Sequence, residues 1–460
     1  MIRKFEIDNF KSLVNFSLPM PPHELGRFVC LIGLNGAGKS TVLQALDFLG
    51  HVGSGDVSEW LKIRDWLAGD LTSRFLKKHL ITFKLEFEFD QLGRVVWEGS
   101  FNSVFQRCTS ELIAVNGDPV LIAKDQKLFA RLVPAGTAQD ASPTSKNFEL
   151  QNLSYEGSTL SLLKTGRWHA AIEAVRESLG ALKSLDMLSP QAMRQRSRDG
   201  VDIGYGGERL SAYVHGMDAD GKQRLLSLLQ EFYPFVEGLT TRAVKAGWKE
   251  LSVGERYLDA ADKPLNTSAK QLNDGLLRIL AVLAQVEIGR PAEATSSATG
   301  PSLQIPKGCV LFDEIENGVN PELMKRLVEK LIQAPQQVMV TTHSPLILNY
   351  LPIKTAEESV MLLYRNGHGH TKSVRFFDLP SVHRKLGLLG PGEVFVDTDL
   401  THLSEEVEQW QRTVAEAAAR GAGLAIERVV EQIDDAKRLS RSAIRKARRS
   451  AGRPSDEAGE

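Results

Sequence analysis

Residues 33–40 read Gly-Leu-Asn-Gly-Ala-Gly-Lys-Ser and match the phosphate-binding pattern GxxxxGK[ST]. An apolar run at 28–32 predicts a buried strand before the loop, and the apolar spacing of 41–49 predicts a helix after it. Glycines let main-chain N–H groups approach phosphate oxygens, and a helix N-terminus favours an anion. A glycine turn that binds nothing is the alternative, and the flanking strand and helix argue against it.

The chemistry of this loop predicts a role for its last residues. The Lys39 ammonium is expected to reach the β- and γ-phosphates of ATP, and the Ser40 hydroxyl is expected to ligate Mg²⁺. Lys39 is therefore predicted to be catalytic as well as nucleotide-binding. The full set of predicted nucleotide contacts in the loop is Gly33, Asn35, Gly36, Ala37, Gly38, Lys39, Ser40 and Thr41.

A second apolar run, at 310–312, ends in the paired acids Asp313 and Glu314. A carboxylate at the end of a strand neighbouring the loop strand can hold Mg²⁺ through water, and the next acid can orient or deprotonate the attacking water. We therefore predict that Asp313 serves the metal and Glu314 serves the water. Acids that simply end a strand are the alternative, which the phosphate loop upstream disfavours.

Two further patterns accompany the paired acids. His343 follows a third buried strand at 338–342, where a histidine can reach a γ-phosphate. A lone histidine is more often structural, but its position one strand after the acids favours a catalytic role. Asn273, Asp274 and Gly275 open an apolar helix, and a helix N-terminus of this kind can bind an anion. That last signal is weak alone, because any capped helix looks similar.

The composition is that of an ordinary globular protein. The chain has 460 residues, 42% of them hydrophobic, with a net charge of −1 and three cysteines in no metal-binding spacing. No apolar stretch reaches the length of about 18 residues that crosses a membrane, and the N-terminus lacks a signal-peptide pattern. We therefore expect a cytoplasmic protein with no membrane partner.

The patterns along the chain predict four regions. Strict alternation at 81–89, followed by turn signals, predicts an antiparallel β subdomain. Polar and small residues predict loops at 134–147 and 291–301. The predicted regions are an N-terminal ATPase lobe (1–150), a helical insertion (151–265), a second ATPase half (266–380) and a helical, partner-binding tail (381–460).

Together these motifs resemble the ATPase heads of the ABC, SMC and RecF class. More narrowly, the chain resembles AAA ATPases of bacterial anti-phage defence systems of the overcoming-lysogenisation-defect, PARIS or Septu type. The resemblance rests on the phosphate loop and on residues 9–13, 272–275, 311–318 and 341–345. Residues 189–194 are a further segment that recurs in these ATPases. The resemblance implies an α/β P-loop NTPase fold with a mixed core sheet, an antiparallel β subdomain and a helical insertion.

The resemblance also implies a head-to-head homodimer, or a higher even-numbered assembly, with each ATP held between two copies. One copy would supply the phosphate loop and the other would supply Asn273 and Gly275, where Asn273 replaces the usual serine. Lys11 would lie near the base or phosphates. The implied function is an ATP-hydrolysing switch that controls a separately encoded effector, since no complete nuclease follows the histidine. A RecF-like ATPase of DNA maintenance and a non-hydrolysing scaffold are the alternatives.

Two C-terminal features bear on these alternatives. A DxD pattern at Asp397 and Asp399, predicted to follow a strand, resembles part of a nuclease site, although too little chain follows for a complete one. Basic residues crowd 437–453 and can bind nucleic acid phosphates. A solvated helix end is the simpler interpretation of that cluster, since no aromatic residues interleave for base stacking.

Overall fold

The structure is a computed structural model that describes residues 1–132, 145–150, 154–163, 168–198, 200, 202–287 and 308–419. The loop predicted at 291–301 and the basic cluster at 437–453 lie outside these residues. Most of the loop predicted at 134–147 also lies outside them, and its last three residues belong to a strand.

A mixed six-stranded sheet forms the centre of the described chain. Its spatial order is β10 (Leu182–Leu185), β14 (Cys309–Phe312), β15 (Gln337–Thr341), β3 (Phe28–Ile32), β16 (Val360–Arg365) and β17 (Thr371–Arg375). The first five strands run parallel and β17 closes a hairpin with β16. Every residue of β3, β14 and β15 is buried, as expected for parallel strands that are covered on both faces.

An eight-stranded antiparallel sheet confirms the predicted β subdomain. Its order is β2 (Phe16–Leu18), β1 (Ile2–Asp8), β4 (Leu80–Phe89), β5 (Gly93–Asn102), β6 (Arg107–Val115), β7 (Asp118–Lys124), β8 (Lys127–Arg131) and β9 (Ser145–Glu149). The alternation predicted at 81–89 is observed in β4, where every second residue is buried. One face of this sheet therefore packs inward while the other carries polar side chains.

Helices cover both faces of the central sheet. They are α1 (Lys39–Ser54), α2 (Val57–Ile63), α3 (Ala170–Gly180), α4 (Pro190–Met193), α5 (Leu210–Gly216), α6 (Ala219–Phe232), α7 (Asp274–Glu287), α8 (Pro321–Ile332), α9 (Pro345–Asn349) and α10 (Ile353–Ser359). Two hydrophobic clusters lie on opposite faces of the central sheet, and alternate residues of β3 belong to different clusters. This follows because successive side chains of a strand point to opposite faces of the sheet. Val29 and Leu31 pack with α1 and the antiparallel sheet, whereas Cys30 and Ile32 pack with α7 and α8.

The segment 151–265, predicted as a helical insertion, contains the helices α3 to α6 and also strands in its described part. It contains β10 and a three-stranded antiparallel sheet of β11 (Val236–Ala243), β12 (Lys249–Leu258) and β13 (Pro264–Ser268), of which β13 extends past the predicted boundary. A four-residue segment such as β10 is too short for its periodicity to distinguish a strand from a helical turn, and its pairing with β14 decides its conformation. The domain boundaries themselves stay a prediction.

The described part of the predicted C-terminal tail packs on the core. Its helices are α11 (Pro380–Leu386), α12 (Pro391–Val396) and α13 (Leu403–Ala419). Val382, Val394 and Trp410 are buried in the same hydrophobic cluster as α7 and α8. Asp397 ends a helix rather than a strand, so the expected context for a DxD nuclease motif is wrong.

The described residues contain neither a metal-ligand cluster nor a membrane span. No group of three or more His, Cys, Asp or Glu side chains among them has the geometry to hold a metal ion. None of the helices in that part of the chain is both long enough and apolar enough to cross a bilayer.

Candidate active site

The predicted site residues meet at one edge of the central sheet. Strands β3, β14 and β15 are parallel, so the phosphate loop, the paired acids and His343 all follow the carboxyl ends of neighbouring strands. The order differs from the prediction in one respect. The strand beside the loop strand is β15, which precedes His343, and the acids lie one strand further away.

The phosphate loop depends on glycine at both of its ends. Gly33 and Gly38 have φ values of 146° and 107°, and Gly38 caps the N-terminus of α1. A Cβ atom on Gly33 would lie 2.3 Å from the Leu363 oxygen, and one on Gly38 would lie 2.4 Å from Thr371 Oγ1. The hairpin β16–β17 thus leaves no space for a side chain at either position, and the loop keeps its main chain close to any bound phosphate.

That hairpin also donates hydrogen bonds to the loop, which no sequence pattern predicted. Thr371 Oγ1 donates to the Ala37 oxygen at 2.9 Å and shares a 2.8 Å hydrogen bond with Ser12 Oγ. Arg365 Nε donates to the Gly36 oxygen at 2.7 Å. Because these partners are far apart in sequence, only the strand pairing reveals that the hairpin supports the loop.

Lys39, the second-last residue of the phosphate loop, is buried. Its Nζ donates to the Gly33 oxygen at 3.0 Å and to the Leu34 oxygen at 3.2 Å. Burial lowers the pKa of Lys39, and the negative charges of Asp313, Glu314 and Glu316 oppose that shift. The ammonium therefore lies within electrostatic range of the acids that follow β14.

The paired acids are held by Thr341, the last residue of β15. Thr341 Oγ1 donates to Asp313 Oδ1 and accepts the main-chain N–H of Glu314 at 2.8 Å. Glu314 has a φ of 48°, a left-handed conformation that is unfavourable for residues other than glycine. Strained backbone of this kind is concentrated at functional sites, where the surrounding contacts maintain it.

His343 lies close to the predicted catalytic acid. Its Nε2 is 3.9 Å from Glu314 Oε1, and both side chains are partly exposed. The main-chain N–H of His343 donates to Glu316 Oε1 at 2.7 Å. Glu316 was not among the predicted site residues, although it is the third acid of the run that begins at Asp313.

The residues at this edge fit Mg²⁺ and a triphosphate. The Ser40 hydroxyl at the start of α1 and the Asp313 carboxylate are oxygen ligands, which Mg²⁺ prefers. A Cβ atom on Gly36 would meet nothing within 4 Å, so open space adjoins the middle of the loop, where phosphate oxygens can bind. A cavity of about 330 Å³ adjoins the acids and is lined in part by Asp313, Glu314 and Arg278.

The predicted turn at 273–275 packs against the loop that follows the acids. Asn273 Oδ1 accepts the N–H of Leu276 at 2.8 Å, so Asn273 caps α7. A Cβ atom on Gly275 would lie 3.1 Å from the Gly318 oxygen. Arg194, from the recurrent segment 189–194, donates to the Leu272 oxygen at 2.9 Å. The side chain of Asn273 itself is exposed.

Lys11 lies beside α1 rather than in the phosphate loop. Its Nζ donates to Gln44 Oε1 at 2.9 Å and stands 3.3 Å from the centre of the Trp66 ring. Burial lowers the pKa of Lys11 to about 8. Gln44 lies one helical turn beyond Ser40 on the same helix face, so a nucleotide contact by Lys11 stays a prediction.

Two protein-family models match separate parts of the chain. The family model "AAA ATPase domain" matches residues 1–161, and "AAA domain, putative AbiEii toxin, Type IV TA system" matches residues 216–349. No curated protein matches the chain.

Several solved structures are similar to this chain at low sequence identity. An SMC head bound to the C-winged helix domain of ScpA shares 14% identity over 81% of this chain and 96% of that chain, with a TM-score of 0.49. The SMC head domain from Thermotoga maritima shares 12% identity over 81% and 98%, with a TM-score of 0.39. The recombination mediator RecF shares 12% over 81% and 98%, with a TM-score of 0.40.

The sheet topology and the loop between β3 and α1 define an α/β fold of the P-loop NTPase class. Both matched family models describe AAA-type domains, and one match covers the phosphate loop while the other covers the paired acids and His343. The predicted fold class is thereby confirmed.

Proposed function

We propose that this chain is an ATP-driven switch, in which two copies pair head to head around two ATP molecules and hydrolyse them. The observation that carries the proposal is the placement of the exposed turn at 273–275. It packs against Gly318 and Arg194, whereas the phosphate loop packs on the hairpin of β16 and β17 and leaves residues 34–36 exposed. In the related class this turn completes the site of a second copy, so each site would need two chains.

The residues at the edge have distinct roles in this proposal. Lys39 and the loop N–H groups bind the phosphates, and Ser40 with Asp313 would hold Mg²⁺, which neutralises phosphate charge when bound. Glu314 orients the attacking water and accepts its proton, while His343 contacts the γ-phosphate. The products are ADP and phosphate.

We further propose that the switch controls a separately encoded effector, a nuclease, in an anti-phage defence system in the cytoplasm. The support is the family description for residues 216–349, which names a putative AbiEii toxin of a type IV toxin–antitoxin system. Cells carrying this chain and the adjacent genes should resist phage, and Lys39→Ala should abolish that resistance. Equal resistance with the variant would contradict ATP-dependent control.

A mixing experiment tests whether the site is shared. Lys39→Ala removes the phosphate-binding lysine, and Gly275→Asp places a carboxylate in the turn that would face the partner's ATP. Each variant alone should lose ATPase activity. A mixture of the two should recover activity, because one site of the mixed dimer then combines an intact loop with an intact turn.

The controls separate a shared site from hydrolysis by single chains. Each variant alone, at the total protein concentration of the mixture, should stay inactive. Size-exclusion chromatography with light scattering should show that the mixed chains form a dimer only when ATP is present. Wild-type activity of Gly275→Asp alone would show that hydrolysis does not need the turn of a second copy. Absence of recovery although mixed dimers form would contradict a shared site. Bound nucleotide without phosphate release by the wild type would instead favour the non-hydrolysing scaffold.

A RecF-like role in DNA maintenance is the second candidate, and the basic residues at 437–453 favour it. It predicts that the purified chain alone binds DNA in the presence of ATP. The affinity should fall steeply with salt, because phosphate contacts release counterions. Removal of 437–453 should abolish that binding. Absence of ATP-dependent DNA binding would exclude this candidate.

A further inference from the structure

The carboxylate of Glu316 lies between two motifs of the site and has one oxygen without a hydrogen-bond partner. Its Oε1 accepts the main-chain N–H of His343 at 2.7 Å. Its Oε2 is buried and has no partner among the described residues. Buried carboxylate oxygens normally accept hydrogen bonds, because desolvation without a donor is costly. The second oxygen therefore requires a donor that is not among the described residues.

The main chain around Glu316 is firmly attached to the site. The N–H of Ile315 donates to the Thr341 oxygen at 3.2 Å, and the N–H of Asn317 donates to the Glu314 oxygen at 2.9 Å. The first bond ties the segment after β14 to the end of β15, and the second closes a turn within that segment. The position of the Glu316 carboxylate is consequently determined by the same residue, Thr341, that holds Asp313 and Glu314.

The charge of Glu316 acts towards the phosphate loop. It opposes the lowering of the pKa of Lys39 by burial. Burial raises the pKa of the Cys30 thiol in β3, and the Glu316 carboxylate raises it further. Glu316 thus lies within electrostatic range of both the loop lysine and the strand that precedes the loop.

We propose that Glu316 is a positioning residue of the phosphate site, whose Oε1 fixes the main chain of His343 and whose Oε2 accepts a hydrogen bond from water carried by Mg²⁺. This inference rests on the proposed function, since the donor enters with the nucleotide. Lys39 does not donate to Oε2 in this structure, where its ammonium donates to the Gly33 and Leu34 oxygens and Oε2 has no partner among the described residues. Bound Mg²⁺ usually keeps several waters, which are strong donors to a carboxylate.

Calorimetric titration of AMP-PNP, with Mg²⁺ and with EDTA, tests the role of Oε2 without any turnover. The measured quantity is the ratio of the two dissociation constants, which is the gain in affinity from Mg²⁺. Glu316→Gln keeps the shape and one oxygen but removes the charge, and the gain should fall about tenfold, as for a lost hydrogen bond to a charged group. Glu329→Gln is the matched control, since Glu329 is exposed on α8.

Glu329→Gln should show the same Mg²⁺-dependent gain in AMP-PNP affinity as the wild type. All variants should retain the wild-type melting temperature within a few degrees. An unchanged gain in Glu316→Gln would overturn the assignment of Oε2. A wild-type chain that binds nucleotide without any gain from Mg²⁺ would overturn it as well, while leaving nucleotide binding intact. A wild-type chain that binds no nucleotide would instead overturn the proposed function.

A comparison of two substitutions tests the role of Oε1. Glu316→Gln retains an oxygen for the His343 N–H, whereas Glu316→Ala does not. The value of kcat should therefore fall further in Glu316→Ala, by about tenfold relative to Glu316→Gln, with a smaller change in KM. Equal kcat values in the two variants would show that Glu316 does not act through His343.

Discussion

Thr371 Oγ1 donates a hydrogen bond to the main-chain oxygen of Ala37, so that a hairpin 334 residues further along the chain supports the phosphate loop. The same hydroxyl shares a hydrogen bond with Ser12, which lies in the segment between β1 and β2. Three separated segments therefore determine the conformation of one loop.

Thr371→Val should weaken this support. The substitution is nearly isosteric but leaves the buried Ala37 oxygen without its donor, so the free energy of unfolding should fall by about 1–2 kcal/mol. The affinity for ATP should fall several-fold, because the loop conformation is less restricted. Thermal unfolding and calorimetric titration measure both effects. Thr371→Ser, which keeps the hydroxyl, should lose much less ATP affinity, and equal losses in both variants would contradict a role for the hydrogen bond.

Glu314→Gln should separate ATP binding from hydrolysis. Loss of the proton acceptor should lower kcat by about 10²-fold or more, whereas the dissociation constant for ATP should change little. Steady-state phosphate release and equilibrium titration measure the two quantities. The variant should also accumulate as an ATP-bound dimer on size-exclusion chromatography. Wild-type turnover in Glu314→Gln would show that the assigned role is wrong.

Arg64 should be among the residues most sensitive to substitution. Its guanidinium is buried and donates to Asp47 Oδ2 at 2.8 Å and to both oxygens of Asp186 at 2.8 and 2.9 Å. Arg64→Ala leaves these carboxylates buried without their cation, so the free energy of unfolding should fall by about 3–5 kcal/mol. Urea unfolding measures the change. As a comparison, removal of the exposed Arg242 side chain should change the free energy of unfolding by less than about 1 kcal/mol.

The pKa of Lys11, lowered to about 8 by burial, predicts a pH dependence of stability. Between about pH 8 and the ordinary lysine pKa of 10.5, the folded chain has released this proton while the unfolded chain retains it. The unfolded state therefore binds more protons, and the contribution of Lys11 to the free energy of unfolding rises with pH in that window. The free energy of unfolding of the wild type, measured with urea, should increase relative to that of Lys11→Met as the pH rises from about 7 to about 9.5. A pH-independent difference would contradict the lowered pKa.

The site edge was largely predictable from the sequence because its motifs are local patterns. Lys39, Asp313 and His343 each follow an apolar strand, and parallel strands bring their carboxyl ends together. The supports of the site were not predictable. Thr371 and Arg365 reach the phosphate loop only through the pairing of β16 with β3, which no local pattern encodes.

The middle of the chain shows a second limit of sequence patterns. The alternation at 81–89 predicted β4 correctly because ten paired residues repeat the same period. Four residues at 182–185 carry no such repeat, and β10 exists because its main chain pairs with β14. The exposed sheet β11–β13 also lacks a continuous apolar face that would indicate strands.

The position of β3 has a consequence for how the protein folds during synthesis. Strand β3 is made near the beginning of the chain, but its two neighbours in the sheet are β15 and β16, more than 300 residues later. Contacts of such long sequence separation form slowly, and partial chains expose unpaired strands until they can form. A ribosome-bound chain that ends before residue 337 therefore lacks both strands that pair with β3 in the described sheet. Such a nascent chain cannot complete the nucleotide pocket, so a premature stop should yield a protein that does not respond to ATP.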